Sequence, residues 1–115
     1  MTRKSNEVRV DVRENMRGGN GKVTLLHSFN EAEIESKVRV CARIDLGPGC
    51  SIGEHDHTGE DEIYYIICGT GKVSDNGTDV IVTAGDAVLT GKGEVHSIEN
   101  VGKDLLSLVA VVIKY

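Results

Sequence analysis

Short stretches of alternating apolar and polar residues, separated by glycine-rich turns, recur along almost the whole chain. In residues 8–13 valine alternates with a charged residue, and a similar alternation over residues 38–46 ends at the turn Gly47-Pro48-Gly49. A period of two is typical of strands with one buried face. Many short strands without a long helical pattern predict an all-β fold, either a sandwich or a small barrel.

The alternation and the turn residues together define the expected strands. We predict strands at residues 8–13, 22–29, 38–46, 51–57, 62–68, 71–75, 78–83, 86–90, 95–100 and 105–114. Asn76-Gly77 is a favoured two-residue hairpin turn because both positions tolerate positive φ. Residues 30–36 have room for one helical turn at most.

Length and cysteine content limit the class of protein. A chain of 115 residues predicts one domain over residues 1–115. Its longest apolar run, residues 105–113, is far shorter than the roughly 20 residues of a spanning helix, so no membrane segment is expected. The N-terminus has no secretory pattern, and three cysteines without close pairing fit reduced thiols, so we expect a cytoplasmic protein without disulfides.

The net charge of −5 disfavours nucleic acid as a partner, because phosphate binding needs clustered positive charge. Positive residues are concentrated in residues 1–22, whereas residues 45–62 carry only negative ones. We interpret residues 1–22 as an N-terminal arm. Either its positive residues face the acidic segment, or both segments are ordinary solvated surface.

Three histidines and one glutamate are spaced as metal ligands. His55 and His57 are two residues apart, so a strand would place both imidazoles on one face, about 7 Å apart at Cα. Glu62 follows after a turn at Thr58-Gly59, and His96 begins a later strand. Three imidazole nitrogens and one carboxylate oxygen suit a divalent first-row metal such as Mn, Fe, Ni or Zn.

The same spacing resembles the two signature motifs of the cupin superfamily. The first motif is matched by Gly49, His55, His57, Glu62 and Gly69, and the second by Gly85, Gly93, His96 and Asn100. Gly91 stands where the family usually has proline, which changes turn rigidity but no ligand. The resemblance, carried by residues 49–100, implies a double-stranded β-helix (jelly-roll) barrel, commonly dimeric, with His55, His57, Glu62 and His96 as metal ligands.

A ligand pocket is expected around these residues. Strand parity with Glu62 and His96 predicts an inward-facing apolar lining of Tyr64, Ile66, Val88 and Ile98. Either the Tyr64 hydroxyl lines the pocket, or the Tyr64 ring only fills the barrel interior. The glycines of residues 18–21 would let the arm bend over the barrel mouth, where Arg17 could contact an anion. Cys68 is expected to be a small buried hydrophobe.

Three functions remain open at this point. Open metal positions would permit an enzyme that acts on a small, possibly anionic, organic molecule by decarboxylation, dioxygenation or isomerisation. The sequence resembles small oxalate-decarboxylase-like cupins, although Ile52 stands where oxalate decarboxylases usually have arginine. The alternative is a non-catalytic barrel that binds or senses a small molecule, and in a third reading the metal is purely structural.

The last predicted strand, residues 105–114, is apolar on both parities. A small barrel buries only one face of such a strand, and the amphipathic segment 8–13 offers a second surface for pairing. We therefore predict a homodimer, with or without exchange of the N-terminal arm.

Overall fold

The computed structural model describes residues 1–115, which form ten strands in two antiparallel sheets. The strands are β1 Arg9–Glu14, β2 Lys22–His27, β3 Val38–Leu46, β4 Ser51–Asp56, β5 Glu60–Cys68, β6 Gly71–Asp75, β7 Thr78–Val82, β8 Ala87–Thr90, β9 Val95–Asn100 and β10 Leu106–Lys114. Three short 3₁₀ turns lie at Ser5–Glu7, Met16–Gly18 and Glu31–Glu33. All ten predicted strands are present, with ends shifted by at most a few residues.

The two sheets face each other as a jelly roll. The larger sheet has the order β1-β2-β3-β10-β5-β8, and the smaller has the order β4-β9-β6-β7. Inward-facing residues from both sheets form one apolar core, in which Leu46, Ile66, Leu106 and Leu108 are fully buried. The fold predicted from the alternation and the motifs is therefore confirmed.

The hairpin between β6 and β7 forms at the expected turn. Asn76 and Gly77 have φ values of 46° and 93°, as a tight two-residue connection requires. Its ladder runs without interruption from Asp75–Thr78 to Gly71–Val82.

Three strands contain a β-bulge, an extra residue that the neighbouring strand does not match. In β3 the ladder with β10 skips Arg39. In β5 the ladder with β10 skips Ile67, and in β4 residues 53 and 54 oppose a single residue of β9. A bulge reverses the alternation of the residues beyond it, so each one changes which side chains face the barrel interior.

The N-terminal segment is integrated into the larger sheet and is not a detached arm. β1 is an edge strand that pairs with β2 from Arg9–His27 to Glu14–Lys22. Asp11 lies opposite Leu25, on the inner face, whereas Val10 and Val12 point outward and are 58% and 55% exposed. The amphipathic strand is present, but its apolar face is directed away from the core.

No helix of the structure has the length and apolar character needed to cross a membrane. Cys41, Cys50 and Cys68 are all free thiols, as expected for reduced cysteines. The expectation that Cys68 is buried is wrong, since its side chain is exposed. The bulge at Ile67 is the reason, because it reverses the parity of the next residue.

Candidate metal centre

The four predicted ligands come from three strands that meet at one end of the barrel. His55 in β4 lies directly opposite His96 in β9. His57 follows the end of β4, and its backbone donates to the Glu94 carbonyl and accepts from the Gly93 amide. Glu62 projects from β5 in the other sheet, so the site spans both layers of the jelly roll.

The donor atoms of these four residues converge on one point. The Nε2 atoms of His55 and His57 each lie 3.0 Å from Nε2 of His96. Glu62 Oε1 lies 2.9 Å from Nε2 of both His57 and His96, and 3.8 Å from Nε2 of His55. All four atoms lie within 4.8 Å of one another.

The other ring nitrogen of each histidine is held by a neighbouring acceptor. His55 Nδ1 donates to the Gly53 carbonyl at 2.8 Å, and His57 Nδ1 donates to the Glu60 carboxylate at 2.9 Å. The hydroxyl of the buried Thr90 lies 2.9 Å from His96 Nδ1 and can accept in the same way. Protons on all three Nδ1 atoms direct the Nε2 lone pairs toward the common centre.

This arrangement fits a divalent metal ion. Glu62 Oε1 is buried without a hydrogen-bond partner, and with protons on the three Nδ1 atoms the Nε2 lone pairs face the same point. Two ligands about 2.1 Å from one ion and at right angles to each other would be about 3.0 Å apart, close to the separations observed. A cation would therefore satisfy each of these buried donor atoms.

Burial and mutual contact shift the pKa values of the ligands. Burial alone would raise the pKa of the Glu62 carboxyl, but contacts with the three imidazoles outweigh it and hold that pKa well below its usual range. Contact with the Glu62 carboxylate raises the pKa of His57, and burial lowers that of His96. The centre thus offers an ionised carboxylate and basic nitrogens, the forms that bind metals.

Tyr64 lies beside the centre on the interior face of β5. Its ring stacks on that of His96, with the centroids 4.9 Å apart and the planes 18° from parallel. Burial, together with the nearby Glu62 carboxylate, raises the Tyr64 pKa well above its ordinary value. The phenol therefore remains protonated and can donate a hydrogen bond into the cavity.

A cavity of about 60 Å³ opens onto the metal-ligand cluster. Its lining comprises Arg13, Met16, Arg17, Leu25, Arg39, Val40, Ile44, Ile52, His55, His57, Glu62, Tyr64 and Val112. Arg13 and Arg39 are ion-paired with Asp11 and Glu60, whereas Arg17 makes no ion pair. The cavity thus has apolar walls, three of the four candidate metal ligands and one guanidinium available to an anion.

Only part of the predicted pocket lines this cavity. Tyr64 does, but Ile66, Val88 and Ile98 are not among its lining residues. Parity gives the face of a strand but not the depth along it, so it does not decide which inward-facing residues reach this cavity. Apolar residues of β2 and β3, such as Leu25 and Ile44, form the wall instead.

Arg39 and Glu60 are site residues that sequence reasoning did not single out. Alternation along β3 alone would direct Arg39 outward, like Arg43, and Glu60 stands in an acidic run, residues 60–62, that is equally compatible with an exposed turn. The bulge places Arg39 in the cavity lining, where it binds Glu60 at 2.8 and 3.0 Å. No signal in a single sequence marks this bulge. Arg43, in contrast, is exposed and paired with Asp45.

The chain belongs to the cupin family, by both its site and its sequence. The family model for the cupin domain matches residues 42–112, which include all four candidate ligands. This confirms the resemblance carried by the two motifs.

Within the family, the chain is similar to a relative and to a solved structure whose descriptions both mention oxalate. It is 46% identical over 113 residues to an oxalate-binding protein from Thermotoga maritima, covering 98% of this chain and 93% of the relative. It superposes with a TM-score of 0.95 and 45% identity on the crystal structure of a predicted oxalate decarboxylase from the same organism, over the full length of both chains.

A more distant structure shows the same fold alone. A polyketide cyclase from Streptomyces resistomycificus matches with a TM-score of 0.79 at 20% identity, covering 98% of this chain and 79% of the cyclase. The barrel is thus shared by proteins with little sequence identity.

Proposed function

We propose that this protein binds a small organic anion of the oxalate class at a divalent metal held by His55, His57, Glu62 and His96. The proposal rests mainly on one small cavity, which is lined by three of the four clustered ligand residues and by Arg17, whose guanidinium makes no ion pair. A short dianion such as oxalate has a carboxylate at each end. The bound metal would supply a positive centre for one carboxylate, and Arg17 would supply one for the other.

The residues of the chain define how such a ligand would be held. Arg17 offers a planar guanidinium that can accept a carboxylate in two parallel hydrogen bonds. Tyr64 would donate a hydrogen bond from its protonated phenol to the ligand, and Ile52 and Val112 form part of the apolar lining of the cavity. The bound metal would supply a Lewis-acidic position for a ligand oxygen. A cavity of about 60 Å³ restricts the ligand to a few heavy atoms.

Similarity supports the same ligand class. The 46% identical relative is described as an oxalate-binding protein, and the alignment covers 98% of this chain. Ile52 occupies the position at which oxalate decarboxylases usually have arginine. We propose that Arg17, in the connection between β1 and β2, supplies the positive charge instead.

The experiment is calorimetric titration of oxalate into protein loaded with Mn²⁺, comparing the wild type with Arg17→Ala. We expect wild-type binding to weaken at least tenfold in the variant, while metal content stays unchanged. Arg43→Ala is the matched control, because Arg43 is exposed on the outer face and pairs with Asp45. Equal oxalate affinity in Arg17→Ala and in the wild type would contradict the anion-binding role.

A second candidate function is turnover of the same ligand, favoured by the protonated Tyr64 phenol beside the metal ligands. Decarboxylation of oxalate to formate and carbon dioxide consumes one proton, and Tyr64 is placed to donate it. Formate release by the metal-loaded protein, lost in Tyr64→Phe, would establish the enzyme. Binding without formate release would leave the protein as a non-catalytic binder or sensor.

We also propose that the protein forms a homodimer through the outer face of the larger sheet. Ile63, Tyr65 and Ile67 of β5 and Leu89 of β8 are exposed on this face, and Val10 is exposed at the opposite edge of the sheet, on β1. Such an apolar face is self-complementary about a two-fold axis, and covering it would remove apolar surface from water. The occupant we propose is a second copy of this chain.

The proposed place of action is the cytoplasm. Three free thiols suit a reducing compartment, whereas oxidising compartments favour disulfides. Detection of the protein in the soluble cytoplasmic fraction of the source cells tests this, and recovery with secreted material would contradict it.

A further inference from the structure

The ion pair of Arg39 and Glu60 is connected directly to a metal ligand. Arg39 donates from Nε and Nη2 to the two carboxylate oxygens of Glu60, at 3.0 and 2.8 Å. Glu60 Oε1 also accepts from His57 Nδ1 at 2.9 Å. A continuous chain of hydrogen bonds therefore runs from a cavity arginine through a carboxylate to the imidazole.

The backbone is adapted to form this chain. Between the pairs Val112–Val40 and Ile113–Val38, the ladder of β3 and β10 skips Arg39. Without the bulge, Arg39 would share the outward parity of Arg43, where it could not reach Glu60. The bulge in β3 thus allows Arg39 to contact the Glu60 carboxylate.

His57 differs from the other two histidines in the charge of its Nδ1 partner. His55 donates to a backbone carbonyl, and the His96 ring faces the hydroxyl of Thr90. Only His57 has a carboxylate there, and the side chain of Glu60 is only 16% exposed. A carboxylate in this position fixes the ring and makes the opposite nitrogen a stronger electron donor.

We propose that Glu60, clamped by Arg39, is the positioning residue that sets the orientation and basicity of His57, and thereby the metal affinity of the centre. This inference rests on the proposed function, since it requires the four-residue centre to bind a metal. It adds two residues outside the ligand set to those that determine metal binding.

The test is titration of Co²⁺, in competition with a chromophoric chelator, into wild-type protein, Glu60→Ala, Glu60→Gln and Arg39→Met. We expect a 10- to 100-fold loss of Co²⁺ affinity in Glu60→Ala. Glu60→Gln should recover part of it, because the amide oxygen can still accept from Nδ1. Arg39→Met should lose less than Glu60→Ala, and the visible Co²⁺ spectrum should change with both.

The matched control is Glu54→Gln, which removes an exposed carboxylate next to His55 and should bind Co²⁺ within twofold of the wild type. Melting of each metal-free variant separates a positioning role from a general loss of stability. Glu60→Ala binding within twofold of the wild type would overturn the inference. If Glu60→Ala does not fold, wild-type affinity in both Glu60→Gln and Arg39→Met would overturn it. Failure of the wild type itself to bind Co²⁺ would instead overturn the proposed function.

Discussion

Gly53 packs directly against the backbone carbonyl of Arg17, so closely that a side chain at residue 53 would overlap that oxygen. Gly53 lies in the bulge of β4, and its own carbonyl accepts from His55. Arg17 has a φ of 54°, a conformation that costs energy in a residue with a side chain. The contact thus joins the loop that carries the proposed anion-binding residue to the strand that carries a metal ligand.

Gly53→Ala should displace the Arg17 loop and weaken oxalate binding more than metal binding. The added methyl meets backbone atoms, so we expect a loss of about 1–3 kcal/mol in the free energy of unfolding. Calorimetry with oxalate and thermal melting are the measurements. Gly47→Ala is the control, because a methyl there meets only Cys50 Sγ at 3.9 Å. Unchanged oxalate affinity in Gly53→Ala would argue against the coupling.

Thr90→Val should lower metal affinity about tenfold with little change in shape. The substitution removes the hydroxyl that faces His96 Nδ1 and leaves that nitrogen without an acceptor in a buried site. Metal affinity is measured by chelator competition. Thr78→Val, at an exposed position of β7, should bind like the wild type, and equal affinities in the two variants would contradict the role of Thr90.

Metal affinity should rise with pH through the titration of His57. The neighbouring Glu62 carboxylate raises the pKa of His57 and outweighs the effect of burial, so a proton competes with the metal for this ring up to a higher pH than on a free imidazole. That proton stabilises the metal-free fold below about pH 6.5 and loses its effect as pH rises through the raised pKa. The metal must displace it, so the melting-temperature gain on metal addition should grow between about pH 5.5 and 8. A gain that is constant with pH would contradict this assignment.

Tyr65→Lys should shift the proposed dimer toward monomer. Tyr65 is 52% exposed at the centre of the outer apolar face, between Val109 of β10 and Ala87 of β8. A lysine there would place two like charges near the two-fold axis. Light scattering should give twice the 12.4 kDa chain mass for the wild type and a lower mass for the variant. A wild-type monomer at micromolar concentration would eliminate the dimer.

Alternation and motif spacing predict the strands and the four clustered residues, because the period of two is a local property of the chain. His55 and His57 were placed on one face correctly, and Glu62 and His96 meet them as expected. What alternation could not provide are the bulges. The bulge at Arg39 brings an outward residue into the cavity, and the one at Ile67 exposes Cys68.

The orientation of β1 is a second point that the pattern leaves open. Alternation in residues 8–13 shows that valines and charges lie on opposite faces, but not which face is inside. The structure directs Asp11 inward, near the buried His27, and exposes Val10 and Val12. β1 is an edge strand, and its inner face borders the cavity, which Arg13 helps to line. Charged residues on that face are therefore not buried in the apolar core.

The central claim is that one divalent metal ion is held by His55, His57, Glu62 and His96. Its most direct test is elemental analysis of protein purified without an affinity tag, for the wild type and for single His57→Ala and His96→Ala variants. We expect about one metal ion per wild-type chain and a marked loss in each variant. Full metal occupancy in both variants would contradict it.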